Sequence, residues 1–379
     1  MYLEDKNMTL MRDLTTFEPI DEIYVSPIYT SYPHIYQRGL IPDSAFSLLD
    51  NRWRTERYIV PSIKFYLLKK VYVLAEGLVF TQSGELIEQT KTAHSDMEIQ
   101  EARDNLAIAL ITKEFIPNHA KAVLCKKRGA GNYGHWLVEM LPKAYWARRK
   151  LGVVDWPVVV HKTSDAVQSI MKQSLEVIGV SADKTIITDR SPVYFEELVL
   201  VEGITGHSIF ISPLVMECME FIASKAGTGS SDSLYAVRRP ATTRDFENES
   251  EAKIILSENG YTEIEAEKLS FLEQVAAFKS AKRVVGPMGA ALTNIIFCHP
   301  GTEVLVFMPA SALELFFWHI AEGKKLDYHE VRCEESGPQQ GALPWNRSLR
   351  ISSSALKNIL TRLQDIRQSP MISLEISNK

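Results

Sequence analysis

From about residue 122 onward the chain alternates short β-branched runs with amphipathic stretches, and this alternation restricts the fold more than any other feature. Val158-Val-Val160 precedes a helical pattern in which Val167, Ile170, Met171, Leu175 and Ile178 share one stripe. Thr185-Ile-Ile187, Leu198-Val-Leu-Val201 and Leu234-Tyr-Ala-Val237 read as further strands. Residues 249–259 read as a helix closed by Gly260, and residues 272–278 as another. Arg283-Val-Val285 and Glu303-Val-Leu-Val-Phe307 are strands on either side of a helix at 291–297. Strands that feed helices and return as strands pack as parallel sheets covered on both faces, so the α/β class is expected.

At 379 residues the chain exceeds what one core usually serves, and two principal domains are expected. Residues 1–120 differ in texture. The first 60 are rich in Pro, Tyr and Ser and read as irregular surface structure, while Leu78-Val-Phe80 and Glu85-Leu-Ile87 flank a Thr81-Gln-Ser-Gly84 turn as a β-hairpin. They form an N-terminal β-rich extension, followed by one αβ domain over 121–228 and a second over 229–345. The Gly227-Thr-Gly-Ser-Ser-Asp-Ser233 stretch resists packing and marks the junction. In the tail, 346–379, Leu356, Ile359, Leu360, Leu363 and Ile366 recur at helical spacing, so a C-terminal helix packing back onto the body is expected.

Charge and cysteine usage narrow the function. With 42 basic and 47 acidic residues the net charge is −5, which offers no general field for nucleic acid. Cys125, Cys218, Cys298 and Cys333 lie far apart with no Cys-x-x-Cys spacing, against a zinc site or a disulfide framework. The first residues lack a hydrophobic signal core, and no apolar run reaches about eighteen residues. A cytoplasmic address is expected, with any membrane contact peripheral, and homo-oligomerisation is left open.

Arg283 to Phe307 reads as strand, glycine turn, helix, Pro-Gly turn, strand. Gly286 and Gly289 sit where a strand ends and a helix opens, so a ligand can approach the backbone and meet unpaired amides. A phosphate there would also meet the positive end of the helix dipole. The spacing is not the dinucleotide fingerprint, no acidic residue closes the following strand, and no Gly-Lys-Ser/Thr occurs, which disfavours NAD chemistry and NTP hydrolysis. Upstream, Arg238 and Arg239 end a strand, with Arg244 and Asn248 just before a helix. Guanidinium groups there can grip phosphate oxygens bidentately. Ser270 and Glu273 form a capping-box pattern at the start of the next helix, beside Gln274; helix capping alone would account for them.

Taken in order, strand-Arg-Arg, Arg-x-x-x-Asn-Glu, Leu-Ser-Phe-x-Glu-Gln, Val-Gly-x-x-Gly-Ala-x-Leu-Thr-Asn and Phe-x-x-Pro-Gly resemble glycosyltransferase family 61. The likeness is close over 234–309 and recurs at 131–142. The resemblance implies a GT-B-like architecture of two facing Rossmann-like αβ domains and an inverting, metal-independent reaction with no cofactor, the nucleotide-sugar being a co-substrate. It also implies that Arg238, Arg239, Arg244, Asn248, Ser270, Glu273, Gln274, Gly286, Gly289, Ala290, Thr293 and Asn294 line the nucleotide-sugar site. The family includes bacterial capsular-polysaccharide enzymes, so a glycan or other hydroxyl acceptor is implied. Two positions depart from the family pattern: Met288 stands where it often has His, and Ala291 where a second Gly often follows.

A glycine-rich loop, Gly129-Ala-Gly-Asn-Tyr-Gly134, runs into a helix with His135 in its first turn and Glu139 four residues on, on the same face. An imidazole and a carboxylate at that spacing can form a hydrogen-bonded pair suited to taking a proton from an acceptor hydroxyl. His135 is read as the base and Glu139, an Asp in most of the family, as its partner; the reverse assignment is chemically open. The similar Asn-Tyr-x-His-Trp-Leu run of the family assigns Asn132, Tyr133, Trp136 and Lys143 to the acceptor side. Leu137, Met140, Leu141 and Ala144 form the buried stripe, and Pro142 predicts a kink. No Asp-x-Asp occurs to clamp a metal-bound diphosphate. The rival readings are a non-catalytic nucleotide-sugar or carbohydrate-binding module that kept the fold and, more distantly, an oxidoreductase acting on nucleotide-sugars.

Overall fold

The twelve-residue strand Ile63–Leu74 organises the first of two large sheets. Its alternating apolar residues pair antiparallel with Leu78–Thr81 on one edge and with Val193–Glu202 on the other. Beyond Val193–Glu202 the sheet turns parallel, through Asn118–Leu124, Val158–His161 and Thr185–Thr188. A computed structural model describes residues 11–238 and 244–368, and the chain divides into two compact units. Met1–Ile28 with Ile59–Lys225 makes the first, and Tyr29–Tyr58 with Ala226–Lys379 the second. The molecule is mixed α/β, with a substantially parallel sheet in each unit, as two Rossmann-like domains require.

In the second unit five parallel strands run Thr262–Ile264, Ser233–Ala236, Arg283–Pro287, Glu303–Pro309, Asp327–Ser336 across the sheet. Numbered along the chain the order is 2-1-3-4-5, a doubly wound sheet whose direction of winding reverses between Ser233–Ala236 and Arg283–Pro287. Asp327–Ser336 also carries the parallel strand His34–Tyr36 and the antiparallel strand Ser348–Arg350. The C-terminal helix Ser353–Gln368 buries Leu356, Ile359, Leu360 and Leu363 against Ala252, Ile255 and Leu256 of the helix Glu249–Glu258, as its spacing predicts. Each such side chain contributes about 1.5–3 kcal/mol when fully buried. Ile366, assigned to the same stripe, is instead exposed.

The described residues 11–120 divide between the two units instead of forming a separate extension. Ile63–Leu74 and Leu78–Thr81 continue the first unit's sheet, because Val193–Glu202 offers them an open edge. Tyr29–Tyr58 belongs to the second unit. The segment read as irregular holds a helix, Asp43–Trp53, which begins after Pro42 and buries Ala45, Leu49 and Trp53. Among the described residues no helix is long and apolar enough to cross a membrane.

Candidate active site

Asn118–Leu124 and Val193–Glu202 are adjacent and parallel, so their carboxyl ends open at the same edge of the first sheet. The loop after Asn118–Leu124 carries Lys127 and Gly129 and enters the helix at Tyr133. Asn132 caps that helix, its side-chain oxygen accepting from the amides of Gly134 and His135 at 2.8 and 3.4 Å. The helix then widens into a π turn, Trp136–Met140, before continuing as Leu141–Leu151. The Leu141 amide reaches back five residues to the Trp136 carbonyl. Pro142 has no N–H to give the preceding turn, and the irregularity expected at the proline is taken up one turn earlier.

Glu139 stands in that π turn and is about 1 % exposed. One carboxylate oxygen, Oε1, accepts from His135 Nδ1 at 2.7 Å and from His207 Nδ1 at 3.0 Å. The other, Oε2, pairs with the Lys127 ammonium. Burial alone would raise the pKa of this carboxyl. The hydrogen bonds from His135 and His207, with the Lys127 charge, outweigh burial and hold it far below the ordinary carboxylate range. An ionised Glu139 can only accept, so each imidazole carries its hydrogen on Nδ1 and, when neutral, a lone pair on Nε2. His135 is partly exposed, and its ring lies against Gly129. A Cβ at Gly129 would meet the His135 Cδ2 at 3.2 Å, and its φ of +89° favours glycine in any case.

Together His135, Glu139 and His207 place nitrogen and oxygen ligand atoms within 4.8 Å of one another, the donor set of a divalent-metal site. Both Nδ1 atoms already donate to the oxygen a metal would need, and an ammonium occupies the other. A cation there would have to break two hydrogen bonds beside a lysine, so the donors fit a proton-handling cluster better than a metal.

At the reversal point of the second sheet, Arg238 follows Ser233–Ala236 and the Gly286–Gly289 turn closes the neighbouring Arg283–Pro287. Arg238 Nη1 donates to the Met288 carbonyl at 2.8 Å and stands 2.6 Å from where a Cβ on Gly289 would lie. Only glycine lets the guanidinium settle on this turn without displacement. Burial and then the nearby Arg244 charge push the Arg238 pKa down to about 10, opposed by Asp245. Arg244 is lowered too, chiefly by burial, with Glu314 opposing. Two like charges brought together out of water is a costly arrangement that an anionic ligand would relieve.

The remaining predicted residues separate by what their side chains already do. Ser270 and Glu273 form the capping box at Phe271–Ser280, Ser270 N–H donating to the Glu273 carboxylate at 2.8 Å. Gln274 and Asn294 are buried and joined at 3.2 Å. Asn294 also donates to the Ala291 carbonyl at 3.0 Å, and the helix expected here is a 3-10 helix, Ala290–Phe297. Thr293 is buried beside it, and Gly286 packs against Ala236. Asn248 holds the Ile351 carbonyl at 2.7 Å, tying its helix to the C-terminal segment. On the acceptor side Trp136 is fully buried, its indole N–H on Ser174 Oγ at 2.9 Å, which makes it core. Tyr133 is half-buried, and Lys143 stands 3.9 Å from Glu202. Arg239 lies outside the described residues. His207 and Lys127 were not foreseen: His207 follows a predicted strand within Gly203-Ile-Thr-Gly-His207, the one signal available.

Residues 133–305 match the family model for Glycosyltransferase 61. A search among curated proteins finds no match to the chain. The matched span runs from the first residue of the His135 helix, past His207 and Arg238, into the strand beyond the Gly286–Gly289 turn. The chain thus carries a glycosyltransferase family 61 domain over residues 133–305, a span that holds His135, Glu139, His207, Arg238 and the Gly286–Gly289 turn.

Proposed function

We propose that the protein moves a sugar from a nucleotide-sugar to a hydroxyl of a glycan or similar acceptor, with inversion and without a metal ion. His135 Nε2 takes the proton of the attacking hydroxyl. The oxygen bonds to the anomeric carbon from the face opposite the leaving group, and the bond from that carbon to the nucleoside diphosphate breaks with its electron pair on the phosphate oxygen. Arg238, Arg244 and the backbone at Gly289–Ala290 meet the charge that develops there. Removing a fixed donor of this sort typically costs about 3 kcal/mol of barrier. The observation that carries the reading is the 2.7 Å contact of His135 Nδ1 with a buried carboxylate held ionised, which leaves Nε2 as the proton acceptor.

The finer parts of the proposal rest on separate support. A GT-B enzyme is favoured because each half of the chemistry sits on its own Rossmann-like unit. The cytoplasmic assignment is favoured by four buried cysteines, all free. Capsular polysaccharide synthesis is the setting suggested by bacterial members of the family. A panel of nucleotide-sugars, each titrated calorimetrically and assayed for transfer and donor hydrolysis, tests the whole. His135→Ala should abolish transfer while donor affinity stays within about twofold, since a general base contributes about 10²–10⁴ in rate. Equal loss of both would reject the base assignment, as binding without turnover would favour a non-catalytic module. Chelation should leave the rate unchanged; revival by manganese after inactivation would overturn the metal-free route.

A further inference from the structure

His207 stands on a device of its own. Gly203, at φ +86°, turns the chain at the end of Val193–Glu202, and a Cβ there would lie 2.3 Å from the Ser62 carbonyl oxygen. Thr205–Gly206 then pairs antiparallel with Phe210–Ile211, and the Ile209 amide closes the turn on the Gly206 carbonyl at 2.8 Å. Ser208 takes a left-handed φ of +54° in this turn. The result is a tight hairpin with His207 at its tip, its side chain 44 % exposed yet reaching a carboxylate that is almost wholly buried. Its ring centroid lies 4.8 Å from that of His135, and both Nδ1 atoms converge on the same oxygen.

We propose that His207 is a positioning residue for the His135–Glu139 pair, holding the shared carboxylate aimed at His135 while the base takes its proton. This rests on the reading of His135 as the base. A carboxylate oxygen has two in-plane lone pairs, and here each meets one imidazole N–H, while Lys127 fixes the second oxygen. Glu139 therefore has no spare site on Oε1 and little freedom to swing. Without His207, one lone pair opens and Lys127 draws the carboxylate from one side only. Charged groups near the cluster include Glu76, which accepts from the Gly129 amide, and the Lys143–Glu202 pair, in which burial raises the Glu202 carboxyl and Lys143 and Lys127 oppose the rise.

The test separates positioning from chemistry through the replacement chosen. His207→Asn puts an amide N–H where Nδ1 stood; His207→Gln displaces it toward the Nε2 position; His207→Ala removes it. With the best donor, and with donor hydrolysis as a second assay, His207→Ala should lower kcat about 10–100-fold with donor KM within about twofold, as losing a supporting hydrogen bond to a reacting group does. His207→Asn should recover most of that loss and His207→Gln little. Full activity in His207→Ala overturns the proposal, and so does a His207→Asn variant as poor as His207→Ala. His135→Ala runs alongside: an active His135→Ala defeats the base assignment of the proposed function, whatever the His207 variants do. A readout free of activity uses the full chain with nitrogen-15 in its histidines. Glu139→Gln should change the ring-nitrogen signals of both His135 and His207, and a His207 signal that does not respond overturns the proposal.

Discussion

The two sheet edges solve opposite electrostatic problems. In the first unit the anion is internal: Glu139 is buried, and Lys127, His135 and His207 satisfy both its oxygens. In the second unit the cations come together: burial lowers the proton affinity of Arg238 and Arg244, and the Arg244 charge lowers that of Arg238 further, beside a glycine turn. A cluster that completes its own charge balance can take and release a proton without a charged substrate. An edge that gathers like charges would be eased by an anion arriving from outside. Both lie where parallel strands end, the position at which such sheets present ligand sites. What differs is the residue type that each loop delivers.

Substitutions at the two edges should act on different steps. The largest effect is expected from Glu139→Ala, which strands a lysine and two histidines around an emptied centre. Transfer should fall about 10³-fold or more with donor affinity largely kept, as read by kcat and calorimetry. Arg238→Ala should do the reverse, weakening nucleotide-sugar binding by about 10–100-fold, the range for charged hydrogen bonds. Unchanged affinity would remove Arg238 from the donor site. A methyl group on each glycine sharpens the division further. Gly129→Ala presses on the His135 ring and forces an unfavourable φ, so kcat should drop and the melting temperature with it. Gly289→Ala meets the movable end of Arg238 and should cost about fivefold in donor affinity, with stability unaltered.

Acid separates the edges in another way. Glu139 has its pKa depressed on folding, so its stabilising contribution is full above the unfolded carboxylate value of 4.5 and fades as pH falls toward the lower folded value. The melting-temperature advantage of the wild type over Glu139→Gln should shrink as pH falls below 4.5. An advantage that went on growing below pH 4.5 would contradict an ionised Glu139. The smallest effect belongs to Asn248→Ala. Loss of its bond to Ile351 should cost about 1 kcal/mol of stability, and an unchanged donor KM would assign Asn248 to anchoring the C-terminal helix alone.

Legibility in the sequence followed the range of the interactions involved. The His135–Glu139 pair is a local, four-residue relation, and helical periodicity was enough to place both on one face. The strands and the C-terminal helix stripe were readable for the same reason. His207 lies 68 residues from Glu139 and reaches it only because two strands align in parallel, which no local pattern encodes. Lys127 pairs across a loop whose path is set by the glycines around it. At the edge of the second sheet the capping box of Ser270 and Glu273 was readable from its local spacing, whereas the bond between Gln274 and Asn294, twenty residues apart, was not. The π turn has no signature of its own, because the response to Pro142 is made one turn upstream. The helix Asp96–Thr112 carries a full capping box at Ser95 and Glu98, a start signal written in the sequence as Ser-x-x-Glu.

The path of the chain between its two units has a cost during synthesis. Tyr29–Tyr58 is made early, but its partners begin at Ala226, 168 residues after Tyr58. At about 5–20 residues per second, the ribosome needs roughly ten to thirty seconds to deliver them. During that interval Trp53 has no Arg332 beneath it, Tyr58 no Trp318, and His34–Tyr36 no strand to join. A fragment begun at Ala226 would inherit the complementary defect, an uncovered edge along His329–Val331 open to any extended chain nearby.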